Sequence, residues 1–209
     1  MTMTGARGPA LAERSRADLP VTPLTWQRTD TVGTELVFPR GSRPSGSAIV
    51  AGSRPYSLTW QAELTPASQV KSLHVTCRGD GWNRELRMER AATGWTCRAE
   101  HAGDAGDLPF AGTEQLEAID PGAVLRLADS PIFISWAVRN LGLTVKSGPV
   151  SVPVVRVQVP SLAVVPGTVT YHLVSPQRLR ITGDWPAATF ELDGAGMVVY
   201  QAGHLRMAR

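Results

Sequence analysis

Thr189-Phe190-Glu191-Leu192, Asp193-Gly194-Ala195-Gly196 and Met197-Val198-Val199-Tyr200 decide the fold: two short apolar runs divided by a turn rich in Asp and Gly. That is the pattern of an antiparallel hairpin. Working back along the chain, Leu179 and Ile181 alternate with Arg178, Arg180 and Thr182. Val155, Val157 and Val159 share one face, while Arg156 and Gln158 take the other. Leu86-Arg87-Met88-Glu89-Arg90 runs through Ala91-Ala92-Thr93-Gly94 into Trp95-Thr96-Cys97, again with a glycine in the turn. Tyr56 to Trp60 and Leu73 to Cys77 alternate bulky and polar groups with period two.

Sixteen prolines and twenty glycines interrupt the 209 residues every few positions, which leaves little room for long helices. A short helical turn fits Thr113 to Ala118. Ile134, Ala137, Val138 and Leu141 also fit a helical stripe, but Ser130-Pro131 and Gly142 bracket that stretch tightly, and loop plus strand is the preferred reading. One-sided alternation in so many strands predicts an all-β protein with few short helices. Its strongly curved antiparallel sheet closes into a barrel-like or half-barrel shape. Residues 1–22 read as a flexible N-terminal arm and 23–209 as a single binding domain.

Composition excludes several classes. Hydrophobic residues are 43% and charged residues 19%, as in a globular chain, and the net charge is only +3 with no dense Lys/Arg block. Nucleic acid is therefore not an expected partner. No run approaches the ~18 apolar residues of a membrane span, and no secretory leader follows Met1, so no integral membrane segment is expected and the expected compartment is the cytoplasm. Cys77 and Cys97 form neither a CxxC nor a metal spacing and read as reduced core residues. No cofactor and no metal are implied.

Enzyme signatures are absent: there is no GxSxG, HExxH, GxxxxGK or GxGxxG. Candidate ligand-binding residues are nonetheless present. Asp120 and Asp129 flank a segment that is otherwise apolar, where they either open turns or hold hydroxyl groups; turn structure is preferred. His172, beside Tyr171 on an expected strand, either lines a cavity or is a bystander. Glu35 reads as half of a structural ion pair with an Arg. Of the six tryptophans, Trp26, Trp60 and Trp95 read as core, whereas Trp136 with Arg139 either packs or meets the head group of an amphiphile.

The C-terminal half resembles the bacterial family known as Putative glycolipid-binding. The stretch from Ser130-Pro131-Ile132-Phe133 through Trp136-Ala137-Val138-Arg139-Asn140-Leu141 is similar to the family's central signature, and Ala188 to Tyr200 is similar to its ending. Weaker similarity covers Val159 to Val164, Gly94-Trp95, Trp26 and Glu35. Ser135, Ala137 and Asn140 depart from the family's Asn, Pro and second Arg. The resemblance implies a highly curved antiparallel sheet of the kind compared with periplasmic lipoprotein carriers. It also implies glycolipid binding, with Arg139 and Asp120 carried over.

Three functions compete at this point. The leading one is a non-catalytic carrier of an amphipathic small molecule, a glycolipid or acyl conjugate, held in an apolar cavity by Arg139, Asp120, Trp136, Asp129 and His172. The second is a partner-binding module with a filled barrel, such as a homodimer. The third is a small-molecule enzyme using His172 with Asp120 or Asp129.

Overall fold

The computed structural model describes residues 22–208. The expected N-terminal arm lies outside the described residues, apart from its last residue. Seven strands come first: β1 (Leu24–Arg28), β2 (Val32–Phe38), β3 (Ser45–Ala51), β4 (Tyr56–Leu64), β5 (Val70–Gly79), β6 (Trp82–Ala91) and β7 (Gly94–Gly103). After an irregular stretch come β8 (Val124–Leu127), α1 (Pro131–Asn140), β9 (Pro149–Val157) and β10 (Val164–Ser175). Then follow β11 (Arg178–Gly183), β12 (Ala188–Leu192), β13 (Val198–Gln201) and β14 (Leu205–Ala208).

All fourteen strands share one sheet, in the order β7-β6-β5-β4-β3-β2-β1-β14-β13-β12-β11-β10-β9-β8. Every pairing is antiparallel except β8 with β9. The exception follows from α1, because a parallel neighbour needs a crossover and the helix supplies it.

The sheet curls into a half-barrel without closing by strand pairing. The seam between its ends is spanned by the irregular stretch after β7. Gly112 N–H donates to Leu162 O at 2.9 Å, and Val164 N–H donates to Gly112 O at 2.8 Å. Buried Arg84 on β6 donates to Ser161 O at 2.6 Å and to the carbonyls of Pro109 and Leu108. Arg90 reaches Ala123 O at 2.5 Å and the Pro121 carbonyl, and its guanidinium lies 4.3 Å from the Trp95 ring centroid. Two backbone bonds and these arginine contacts thus do at the seam what full ladders do elsewhere.

The segment 130–143 corrects the loop-plus-strand reading: it is α1 and its cap. Pro131 takes the first helical turn, where its missing N–H costs nothing. Gly142, at φ 57°, donates to Arg139 O at 3.0 Å, and Leu143 donates to Val138 O at 3.2 Å. Those two bonds are a Schellman cap, so the flanking Pro and Gly punctuate a helix.

All eight residues from Pro131 to Val138 are buried, as expected of a helix that is apolar all round. Phe133 and Trp136 pack edge-on against Trp60 of β4, with centroids 5.2 and 5.9 Å away, and against each other at 4.8 Å. On its other side Ser135 Oγ accepts the Val198 N–H of β13 at 2.9 Å. Held between β4 and β13, α1 lies within the curl. The inner face is therefore largely covered by the chain's own helix. Trp26, Trp60 and Trp95 are core residues, and Cys77 and Cys97, on β5 and β7, are free thiols.

Candidate functional site

Space remains beside the N-terminus of α1. A cleft of about 240 Å³ has an apolar wall of Ile134, Val169, Ile181, Trp185 and Phe190. Arg126, Arg156, Asp129 and His204 line it as well. Asp129, Ser130 and Leu205 also border a second, narrow cavity of about 20 Å³, reaching Trp26, Glu35 and Tyr56. That second space admits roughly one water.

The rim carries a closed ring of charges. Asp129 follows β8 at φ 60°, a left-handed conformation that Asp tolerates better than most residues. Its carboxylate accepts from Arg28 Nη1 at 2.9 Å and meets His204 Nε2 at 3.2 Å. Asp30 accepts from Arg28 at 2.9 and 2.7 Å and meets His204 Nδ1 at 2.9 Å. Both imidazole nitrogens face carboxylates, which favours the doubly protonated ring. The His204 pKa is accordingly raised, first by its bond to Asp129 and against burial. Arg28 holds Asp30 down to about 2, chiefly through its hydrogen bonds. Burial alone would raise Asp129, but the His204 bond and the Arg28 charge together keep it below the usual carboxylate range.

Beneath this ring lies Glu35, 5% exposed, on the same face of β2 as Val37. Its Oε1 accepts from Trp60 Nε1 at 2.9 Å and from Ser130 Oγ at 2.5 Å, while Oε2 has no hydrogen-bond partner among the described residues. Burial pushes its pKa up to about 7, opposed by those two bonds and reinforced by Asp129. The expected ion pair with an Arg is corrected: Glu35 is held by an indole and a hydroxyl.

Arg126 and Arg156 are register partners on β8 and β9. None of the ion pairs among the described residues involves either of them. Arg156 lies with its guanidinium 5.6 Å from the Trp185 ring centroid. Its pKa is lowered, first by burial and then by the charge of Arg126. The register keeps Arg156 on the face opposite Val155 and Val157, and that face borders the cleft. Arg156 pairs with Val165, two residues along β10 from Gly167 and four from Val169, and Val169 lines the cleft with it.

Of the five residues put forward from sequence as ligand contacts, Asp129 alone lines this cleft. Asp120 sits in an exposed turn, where its Oδ1 accepts the Gly122 N–H at 2.6 Å. Trp136 is 1% exposed and belongs to the aromatic cluster. Arg139, in the last turn of α1, donates to Ala195 O at 3.2 Å. His172 points to the face of β10 opposite buried Tyr171 and pairs in register with Arg180. The histidine that meets Asp129 is His204, so the couple of His172 with Asp129 is not assembled. Arg28, Asp30, Arg126, Ser130 and His204 were not singled out, because their meeting depends on the neighbouring of distant strands.

Asp30, Asp129 and His204 come together but are spent on Arg28 and on each other, and no group among the described residues is placed to hold a metal ion. Among the described residues, no helix is long and apolar enough to cross a membrane.

Comparison with known proteins bears on fold and family. A family model described as "Putative glycolipid-binding" matches residues 23–206. The crystal structure of a DUF1089 family protein from Pseudomonas aeruginosa is similar, with a TM-score of 0.66 and 16% identity, covering 82% of this chain and 89% of that chain. At that identity the likeness is one of fold. No curated protein matches the chain.

Proposed function

The chain belongs to the family described as Putative glycolipid-binding, and from that premise we propose a non-catalytic binding protein whose amphipathic ligand, a glycolipid or acyl conjugate, occupies the cleft beside α1. The observation that carries this reading is the cleft's division into an apolar wall and a charged one. Few arrangements other than an amphiphile satisfy both walls at once.

The tail lies along Val169, Ile181 and Phe190, and the head group faces Arg126, Arg156 and Asp129. Because α1 fills the centre of the curl, only part of a chain is covered. Five methylenes buried at ~0.8 kcal/mol each contribute about 4 kcal/mol, enough for measurable affinity. Of the residues expected from sequence, the proposal retains Asp129 as a ligand contact; Trp136, Arg139, Asp120 and His172 lie outside the cleft.

Native mass spectrometry of protein purified without detergent tests the reading, paired with a titration of dodecyl maltoside below its micelle concentration. Trp185 borders the cleft, so its emission should shift saturably, and the shift should vanish in Trp185→Phe. A bare polypeptide mass together with no saturable response would overturn the proposal.

A further inference from the structure

We infer that the ligand's head group is anionic, an acyl-linked phosphate-class oxyanion seated between Arg126 and Arg156. This inference rests on the cleft being the ligand site and goes further by fixing the charge of what binds there.

Two guanidiniums on adjacent strands stand side by side, since register partners in a sheet are only about 5 Å apart. Like charges so placed repel, and the described residues supply neither of them with an ion pair. Asp129 is the carboxylate sharing their cleft, and it is engaged by Arg28 and His204. The positive charge facing the cleft thus has no ion-pair partner among the described residues, and Asp129 offsets it only from a distance. An oxyanion offers what the site lacks, because the planar fork of each Arg donates two parallel bonds to phosphate or carboxylate oxygens.

Three further features point the same way. Trp185 backs Arg156 and restricts its guanidinium. The hydroxyl of Tyr171, fully buried, has no hydrogen-bond partner among the described residues and lies within reach of the Arg126 charge. The N-terminal end of the ten-residue α1 opens on the same cleft through Ser130, Pro131 and Ile134, adding the positive end of the helix dipole. The apolar wall opposite selects an anion that carries a hydrocarbon chain.

Calorimetric titration with dodecyl phosphate, dodecyl maltoside and inorganic phosphate separates the parts, each amphiphile kept below its micelle concentration. Variants are Arg126→Gln, Arg156→Gln and, with charge retained but the fork lost, Arg156→Lys. Arg180→Gln on the outer face is the control. Dodecyl phosphate should bind at least about tenfold more tightly than dodecyl maltoside. Either Gln variant should erase that preference, Lys should restore part of it, and Arg180→Gln should leave it intact. Equal affinity for the two amphiphiles, unchanged in the Gln variants, overturns the anionic head group and leaves the binding function standing. Inorganic phosphate binding as tightly as dodecyl phosphate overturns the acyl requirement. Absence of binding by all three overturns the cleft as the site and both readings with it.

Discussion

Replacing Glu35 by Gln should remove a pH dependence of stability that the wild type carries. The Glu35 carboxyl is raised from the ordinary 4.5 to about 7 by burial. Between those pH values the unfolded chain has lost a proton that the folded chain still holds, so stability falls as pH rises. Each pH unit of separation corresponds to about 1.4 kcal/mol, and the full loss above pH 7 is therefore about 3 kcal/mol. Below pH 4.5 the carboxyl is neutral in both states and costs nothing. Two neighbours frame this window. Asp30, depressed to about 2, adds stability that disappears only as pH falls through that value, outside the window. His204, raised above 6.5, adds stability that is complete below 6.5 and lost at higher pH, with the same sign as Glu35. The wild-type slope is thus a sum, and the difference between wild type and Glu35→Gln isolates the carboxyl. Glutamine retains the carbonyl that Trp60 and Ser130 bond and stays neutral throughout. Urea unfolding at several pH values, read at constant m-value, should show the variant gaining about 3 kcal/mol on the wild type between pH 4.5 and 8. Parallel stability curves over that range would refute the reasoning.

Three other substitutions probe the same framework. Ser130→Ala removes a bond that lowers the Glu35 pKa, so the fall in stability should extend to higher pH, as a pH series of unfolding midpoints would register. Phe133→Ala opens the cluster of Trp60, Phe133 and Trp136 and should cost about 3–5 kcal/mol in denaturant titration. Arg84→Met cuts the seam's bonds to Pro109, Ser161 and Leu108, and hydrogen exchange should accelerate in residues 108–112 and 161–164 before it does in β4 and β5.

Much of the fold was legible because one face of most strands is buried and the other is wet. The alternation at Leu179/Ile181 and the turn at Asp193-Gly194 correspond directly to β11 and the hairpin of β12 with β13. The reading failed where that premise fails. Around β8 and β9 both faces are covered, so Val154 is as buried as Val155, and the polar face that carries Arg156 borders a cleft. In 130–143 the helical stripe of Ile134, Ala137, Val138 and Leu141 was present, but the same Pro and Gly that cap the helix read as loop boundaries. Glu35 did leave a signal, a carboxylate keeping the phase of buried Val37, but periodicity cannot say what a buried carboxylate will meet. The charged ring was beyond reach: Arg28 and His204 are neighbours only because β1 lies beside β14.

That same junction governs the order in which the molecule can be assembled. Every neighbouring pair in the sheet is consecutive along the chain except β1 with β14, where Thr25 stands opposite Ala208. Two arms, β1–β7 and β8–β14, can each zip up from hairpins and, at β8 with β9, one helical crossover, whereas uniting them means closing a loop of nearly the whole polypeptide. On the ribosome, β1 keeps an unpaired edge until β14 emerges, and through that interval the nascent chain is open to adhesion with another copy of itself.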